Sequence, residues 1–288
     1  MTRCSACTRG SPCKALAAAV FAVTLLGGCL TTGGAPQSPA QPEGSHEMLD
    51  ATLWQQSSAE YDALARQIFL LARLRLAEGL EDPDWRAAPE QVSDAASLPP
   101  AIILDLDETV LDNTRYEARI VLDYGSYSFD TFKAWCEQAS APAVPGVVDF
   151  LDYAAQRGVE IFYYSSRLES LRQCTQRNLL VLGLPAAGQP DHLLLNDGTS
   201  KAEFRQRLAA DYRIVLLVGD SLEDFTDGFK APAGERKELA EALSERWGRQ
   251  WIMLPNPMYG HWEAAFYNFD YDMDRSDRLA RKVRGLVP

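Results

Sequence analysis

Five short apolar runs recur from residue 101 onward, each followed by a polar or glycine-containing loop. Stretches with helical periodicity lie between them, at residues 147–156, 168–182, 201–211 and 235–247. Strands and helices in regular alternation predict an α/β fold with a doubly wound parallel sheet. The apolar runs are residues 101–106, 159–164, 192–195, 213–218 and 251–254.

Polar side chains follow four of these runs. In a doubly wound sheet, ligands bind outside the carboxyl ends of the strands, so these side chains are candidates for one common site. Each of them alone is common in turns and helix caps, and only their occurrence together, in order, indicates function. The candidates are Asp105, Asp107, Ser165, Lys201, Asp220 and Asp224.

This set of residue types suits phosphoryl transfer. A carboxylate can act as a nucleophile toward phosphorus, and a second carboxylate can move the proton of the leaving group. Carboxylates approach an anionic phosphate only if positive charge lies between them, which a hard divalent cation with oxygen ligands supplies. A hydroxyl and an ammonium group can hold the remaining phosphoryl oxygens. The sequence therefore predicts a phosphoryl-transfer site.

Two motifs carry a family resemblance. "ILDLDETVLDNTRY" and "VLLVGDSLEDF" closely resemble the paired-aspartate signatures of class C nonspecific acid phosphatases, the haloacid dehalogenase (HAD)-like lipoprotein phosphatases of bacteria. "WQQSSAEYDALARQ", "AVPGVVDFLDY" and "IMLPNPMYGHWE" are similar to that family as well, so the resemblance covers nearly the whole mature chain. It implies a Rossmann-like parallel sheet with a small helical cap subdomain.

The resemblance also implies roles. Asp105 would be the nucleophile that becomes phosphorylated, and Asp107 the general acid and base. Ser165 and Lys201 would bind the transferring phosphoryl group. Glu108 and Asp112 are interpreted as supporting residues or as a solvated flank. The implied Mg²⁺ ligands are the carboxylates of Asp105 and Asp220, the backbone carbonyl of Asp107 and, directly or through water, Asp224.

Aromatic residues are dense between residues 115 and 144. Half of them are expected to pack in the core. In the resembling family, an insertion at this place and a late tyrosine enclose the nucleoside part of the substrate. The candidates for such contacts are Phe129, Phe132 and Tyr259, with Trp135 as an alternative. Stacking on a base contributes roughly 1–3 kcal/mol.

The amino terminus resembles a bacterial lipoprotein signal. A basic head and an apolar stretch end in "LGGC", which predicts cleavage after residue 28 and lipidation of Cys29. An ordinary cleaved signal is the alternative. We expect a signal peptide at 1–28, a tether at 29–46, a helical segment at 47–90 and the phosphatase domain at 91–288, with its cap insertion at about 115–144. The sorting rule of such lipoproteins favours an outer-membrane anchor, on the periplasmic or the surface face.

Composition excludes several classes of protein. The net charge of −12 opposes binding to nucleic-acid polymers. Three histidines and no Arg-His-Gly motif exclude a phosphohistidine phosphatase and leave a zinc hydrolase without ligands. Outside the predicted signal and Cys29, only Cys136 and Cys174 remain, and whether they pair stays open.

The sequence thus predicts a magnesium-dependent acid phosphatase for small phosphomonoesters, 5′-nucleotides or nicotinamide mononucleotide. Alternatives are a phosphotransferase and a surface lipoprotein that binds a nutrient such as haem on a phosphatase frame. The oligomeric state stays open, with a dimer as one alternative.

Overall fold

A five-stranded parallel sheet forms the centre of the computed structural model, which describes residues 46–92, 94–228 and 230–288. The strand order is β3-β2-β1-β4-β5, and every neighbouring pair is parallel. The predicted α/β, doubly wound fold is therefore confirmed. The strands are β1 (Pro100–Asp105), β2 (Glu160–Leu168), β3 (Leu193–Asn196), β4 (Arg213–Gly219) and β5 (Trp251–Met253). Cys29, the predicted signal at 1–28 and the tether up to residue 45 lie outside the described residues.

Strand β1 is buried on both faces, which explains its uninterrupted apolar sequence. Ile102 and Leu104 belong to one apolar cluster, whereas Ala101 and Ile103 belong to another. Successive side chains of a strand point to opposite faces, so the two clusters lie on opposite sides of the sheet.

Helices supply the rest of both clusters. The first cluster includes residues of α2 (Ala59–Glu81) and α5 (Val147–Gln156), and the second includes residues of α7 (Lys201–Asp211). The helical pattern at the front of the chain breaks at Ser58, whose hydroxyl accepts a hydrogen bond from the Tyr61 amide at 3.0 Å and caps α2. No helix among the described residues is long and apolar enough to span a membrane. The α-helices are α1 (Leu49–Ser57), α2 (Ala59–Glu81), α3 (Thr114–Leu122), α4 (Phe129–Cys136), α5 (Val147–Gln156), α6 (Arg172–Val181), α7 (Lys201–Asp211), α8 (Ala233–Ala242), α9 (His261–Ala264) and α10 (Arg275–Arg284).

The order of the strands indicates where a binding site would lie. From β1 the chain moves outward to β2 and β3, and then returns to the other side of β1 for β4 and β5. The direction of winding therefore reverses between β1 and β4. Doubly wound proteins bind ligands at this reversal, outside the carboxyl ends of the strands. Asp105 ends β1 at this point, and Asp220 directly follows β4.

A disulfide bond joins Cys136, at the end of α4, to Cys174 in α6. The sequence left this pairing open. In the chain-entropy model, closing a loop with a sequence separation of 38 stabilises the folded state by about 4 kcal/mol. The bond also lies against the site, because Nη1 of Arg167 is 3.6 Å from Sγ of Cys136.

Candidate active site

Three carboxylates converge at the reversal point beside β1. Asp105 ends β1, Asp220 follows β4, and Asp224 ends a short 3₁₀ helix, Leu222–Asp224. One carboxylate oxygen from each lies within 4.8 Å of the others. Oxygen donors of this kind are the ligands that hard divalent cations such as Mg²⁺ and Ca²⁺ prefer. The three aspartates therefore fit a divalent metal ion.

A glycine allows Asp224 to approach. A Cβ atom at Gly219, the last residue of β4, would overlap the side chain of Asp224. The carboxylate is fixed in turn by the backbone amide of Ser221, which donates to its Oδ2 at 2.8 Å. Local backbone geometry after β4 thus aims Asp224 at Asp105 and Asp220.

Lys201 supplies positive charge to this cluster. Its ammonium group donates to Oδ1 of Asp105 at 2.6 Å and also contacts Asp224. Lys201 is the first residue of α7, whose start is fixed by a reciprocal capping box between Ser200 and Glu203. Burial alone would lower the pKa of Lys201, but Asp105 and Asp224 outweigh it and hold the pKa well above its usual value.

The carboxylates repel one another despite Lys201. Burial raises the pKa of Asp105 well above its ordinary value, with Asp224 and Asp220 adding to the rise and Lys201 opposing it. Burial and the nearby Asp224 raise the pKa of Asp220 to about 7. The cluster therefore carries more negative than positive charge, and a divalent cation would balance it.

Asp107 has the opposite environment. Nε of Arg167 donates to both carboxylate oxygens of Asp107 at 3.1 Å, and Nη2 donates to Oδ1 at 2.7 Å. Asn113 donates to the same Oδ1 at 2.7 Å, and the Ser165 hydroxyl donates to Oδ2 at 3.3 Å. Burial favours the neutral form, but Arg167 outweighs it and lowers the pKa of Asp107. Sequence reasoning missed Arg167, although it stands two residues after Ser165.

A cavity of about 610 Å³ opens over these groups. Its size is in the usual range for sites that bind small molecules. The six polar residues predicted from the sequence all line it, so the structure brings them together. They are Asp105, Asp107, Ser165, Lys201, Asp220 and Asp224.

Two of the three aromatic candidates line the cavity, and the third does not. Phe132 and Tyr259 line the cavity, whereas Phe129 is 37% exposed and is not among the lining residues. Tyr127, which is 61% exposed, lines the cavity instead and lies with its ring centroid 5.7 Å from that of Phe132. A shift of two residues along an aromatic-rich stretch separates Phe129 from Tyr127, and sequence pattern alone does not distinguish them.

Glu108 has a structural role at the site. It is fully buried, and its Oε1 accepts hydrogen bonds from the Tyr259 hydroxyl at 3.1 Å and from the Asn113 amide at 3.2 Å. Its Oε2 accepts from Gln55 of α1 at 2.6 Å. Glu108 thereby ties the first helix to the late tyrosine of the cavity. Of the two interpretations drawn from the sequence, a supporting residue or a solvated flank, the structure agrees with the first for Glu108.

The carboxyl-terminal segment forms one wall of the cavity. Only Glu263, the last residue of "IMLPNPMYGHWE", falls in a stretch that the sequence singled out, and no motif marks the residues after it. The lining residues of this segment are Glu263, Tyr267, Tyr271, Arg278 and Lys282.

A doubly wound sheet with these aspartates and a lysine at its carboxyl edge defines an HAD-like α/β protein. The family model for the HAD superfamily, subfamily IIIB (acid phosphatase), matches residues 37–262. The chain therefore belongs to this family of acid phosphatases, and the resemblance stated from the sequence is confirmed.

Solved structures agree with this assignment. The structure of the class C acid phosphatase from Bacillus anthracis is 33% identical, covers 84% of this chain and 98% of its own, and superposes with a TM-score of 0.74. The same enzyme with tungstate bound is 32% identical over the same shares, with a TM-score of 0.76. Acid phosphatase 1 of Solanum lycopersicum is 30% identical over 166 residues, which is 54% of this chain. The chain spans 57% of the length of that relative.

The close approach at Gly219 yields a prediction. Gly219→Ala should displace the Asp224 carboxylate and lower the affinity for a divalent cation by about 10- to 100-fold, as the loss of a residue that orients a metal site does. Isothermal titration calorimetry measures this affinity. Gly234→Ala is the matched control, because a Cβ at Gly234 meets no atom within 4 Å. Unchanged affinity in the Gly219 variant would contradict the role assigned to Asp224.

Proposed function

We propose that the chain hydrolyses small phosphomonoesters, 5′-nucleotides or nicotinamide mononucleotide, with Mg²⁺ and through a phosphorylated Asp105. The position of Asp105 carries this proposal. Its carboxylate is buried at the centre of the site, 2.6 Å from the Lys201 ammonium and within 4.8 Å of oxygens of Asp220 and Asp224. Such a carboxylate is shielded from water and faces the cavity where the phosphate would enter.

The reaction would proceed in two displacements. A carboxylate oxygen of Asp105 attacks phosphorus, the bond from phosphorus to the ester oxygen breaks, and Asp107 gives its proton to the departing alkoxide. Asp107 then takes a proton from a water molecule, which attacks the aspartyl phosphate and releases inorganic phosphate. Ser165 and Lys201 hold the phosphoryl oxygens that do not react. Asp105 and Asp107 end in their starting states.

The metal requirement follows from the charges of the site. Asp105, Asp220 and Asp224 would hold the ion, together with the backbone carbonyl of Asp107 that the family resemblance implies. When bound, Mg²⁺ would neutralise the repulsion between these carboxylates and the phosphate dianion and stabilise charge on the phosphoryl oxygens. The all-oxygen donor set and the raised pKa values of Asp105 and Asp220 support this assignment.

Arg167 would account for activity in acid. Asp107 must be protonated before it can donate to the leaving group, and Arg167 keeps its pKa low. The protonated form is then well populated only at low pH. The phosphate dianion of a bound substrate adds negative charge beside Asp107 and favours its protonation further.

Aromatic rings along the cavity favour a substrate whose leaving group carries an aromatic ring. Phe132, Tyr127 and Tyr259 line the wall next to the phosphoryl site. A planar base can stack on such rings without a specific hydrogen-bond pattern. Tungstate, which the Bacillus anthracis relative binds, is a tetrahedral oxyanion like phosphate, and we expect it to compete with substrate here. The role of Phe129 in binding the base stays a prediction.

We also propose that the mature protein is held at the outer membrane by lipid on Cys29. The "LGGC" sequence and the basic, apolar stretch before it support this location. Lipidation of Cys29 would leave the phosphatase domain on a tether beside the membrane.

The nucleophile is tested by Asp105→Asn. We expect turnover of an aryl phosphate to fall by at least about 10³-fold, because an amide cannot form the phosphorylated intermediate. The melting temperature should not fall, because the change removes a buried negative charge from a repulsive cluster. Asp149→Asn, at an exposed position of α5, is the control and should keep full activity. Wild-type rates in Asp105→Asn would refute the mechanism.

The metal requirement is tested by chelation. EDTA should abolish wild-type activity, and added Mg²⁺ should restore it.

The pH dependence is tested by Arg167→Gln. Loss of the guanidinium raises the pKa of Asp107, so the limb of the rate profile that reports this carboxyl should move to higher pH. The measurement is kcat/KM from pH 4 to about 8. Arg172→Gln, which removes a half-buried arginine paired with Glu169, should leave the profile unchanged. A profile for Arg167→Gln that coincides with wild type would contradict the assigned role of Asp107.

The anchor is tested by Cys29→Ser in a Gram-negative host. Wild-type protein should incorporate a labelled fatty acid and sediment with the outer membrane. The variant should do neither, because serine lacks the thiol that is acylated. Lipid labelling that persists in the variant would refute this site of attachment.

A further inference from the structure

Helix α10 contacts the rest of the protein through basic side chains. Nε of Arg275 donates to Oε1 of Glu47 at 3.0 Å. The ammonium of Lys282 donates to Oε1 of Glu263 at 2.5 Å. Arg278 and Lys282 also line the cavity. Residues three, four or seven positions apart lie on one face of a helix, so the three basic residues form the inner face of α10.

Apolar side chains of the same segment are exposed. A surface helix normally turns its apolar side chains toward the core, and α10 does the opposite. Two of these residues lie four positions apart on α10, and two directly follow the helix. Together they are called the outer stripe here: Leu279 (42% exposed), Val283 (58%), Leu286 (74%) and Val287 (94%).

Positive charge accompanies the outer stripe. Residues 275–288 contain five basic residues and one acidic residue, in a chain whose net charge is −12. Among the described residues, the ion pairs of α10 involve only Arg275 and Lys282, and Arg284 is exposed beside Val283. Apolar and basic residues on one helix are typical of segments that lie on anionic membranes. A second copy that paired through the same stripe would instead place basic residues against basic residues.

The proposed tether joins the folded body beside α10. His46 is the first residue that the structure describes, and its Nε2 is 3.1 Å from the backbone oxygen of Gly125. The next residue, Glu47, is the one that Arg275 of α10 contacts. A lipid on Cys29 would therefore hold the protein at the membrane by the side that carries α10.

We propose that the outer stripe of α10 lies in the surface of a bilayer that contains anionic phospholipid. Its apolar side chains would lie among the lipid chains, and Arg284 would lie near the phosphate groups of the lipids. This inference rests on the proposed lipid anchor at Cys29, because that anchor brings the helix to the membrane. Since the inner face of α10 lines the cavity, one helix would have the cavity on one side and lipid on the other.

The test places a fluorescent reporter on the outer stripe. Cys136 and Cys174 are joined, and Cys29 would carry lipid. Val283→Cys therefore gives the mature lipoprotein one thiol for a nitrobenzoxadiazole dye. The lipoprotein is purified from a Gram-negative host and reconstituted into vesicles of equal parts phosphatidylglycerol and phosphatidylcholine, with or without lipid that carries a nitroxide on its chain. We expect a blue-shifted emission and at least about twofold quenching by the nitroxide.

Leu180→Cys, labelled in the same way, is the matched control. Leu180 is 55% exposed, close to the 58% of Val283, and lies near the end of α6. Because β2 and β3 are parallel, α6 between them returns the chain to the edge of the sheet opposite the cavity. The label at position 180 should emit as it does in water and should not be quenched.

The contribution of charge is tested by Arg284→Glu in the labelled Val283→Cys protein. The equilibrium constant for lipid contact, obtained from the quenched fraction, should fall by about fivefold or more, because each basic residue at an anionic surface contributes roughly this factor. Vesicles of phosphatidylcholine alone should reduce quenching as well. Arg207→Glu, at an exposed position of α7, should leave quenching unchanged. The melting temperature confirms that each variant is folded.

Three results would overturn the lipid contact. A label at position 283 that stays in water, as at position 180, shows that the stripe does not meet the bilayer. A blue shift without nitroxide quenching shows that a second copy or another part of this chain covers the stripe. Equal quenching in the two kinds of vesicle contradicts the role of anionic lipid.

The anchor is checked on the same preparation. Protein that incorporates no labelled fatty acid and does not float with the vesicles refutes the anchor, and this inference with it. Protein that floats with the vesicles but keeps its label in water refutes only the contact of α10. Hydrolysis of an aryl phosphate, measured in parallel, tests the proposed reaction independently of both.

Discussion

Repulsion between buried carboxylates is the constraint on which the rest of this structure depends. Asp105, Asp220 and Asp224 are held together at the reversal point of the sheet, although each would be more stable in water. One ammonium, from Lys201, bridges two of them. The folded chain thus maintains a region with more negative than positive charge, and the stability of the two core clusters on either side of the sheet makes this possible.

Asp105 and Asp107, the two aspartates that we propose act in catalysis, have opposite electrostatic environments although only one residue separates them. Burial, with the neighbouring carboxylates adding to it, raises the pKa of Asp105, whereas Arg167 outweighs burial and lowers the pKa of Asp107. Pairs of titratable groups whose environments move their pKa values apart are typical of acid-base chemistry. In this chain the segment after β4 places Asp220 and Asp224 beside Asp105, whereas β2 places Arg167 beside Asp107.

The sequence predicted those parts that depend on local pattern. The apolar runs of the sequence predict β1 and β4 as strands. Because the carboxyl ends of parallel strands meet at one edge of the sheet, the sequence also predicts that Asp105 and Asp220 lie close together. Other parts depend on contacts between distant residues. Arg167 contacts Asp107 across 60 positions of sequence, and Glu108 accepts from Tyr259 across 151.

The cavity walls were the least predictable part. No residue pattern indicates that the carboxyl-terminal segment, beyond the matched family region at residue 262, returns to line the site. Helical periodicity likewise gives the face of a residue but not the charged side chains that the residue meets.

The central claim is that Asp105 carries the phosphoryl group during turnover. The most direct measurement mixes wild-type enzyme and Mg²⁺ with excess substrate, quenches in acid within one turnover and locates phosphate on the digested protein by mass spectrometry. The account predicts phosphate on Asp105, formed before inorganic phosphate is released. Phosphate on another residue, or inorganic phosphate formed at the full rate with no phosphorylated protein before it, would contradict the account.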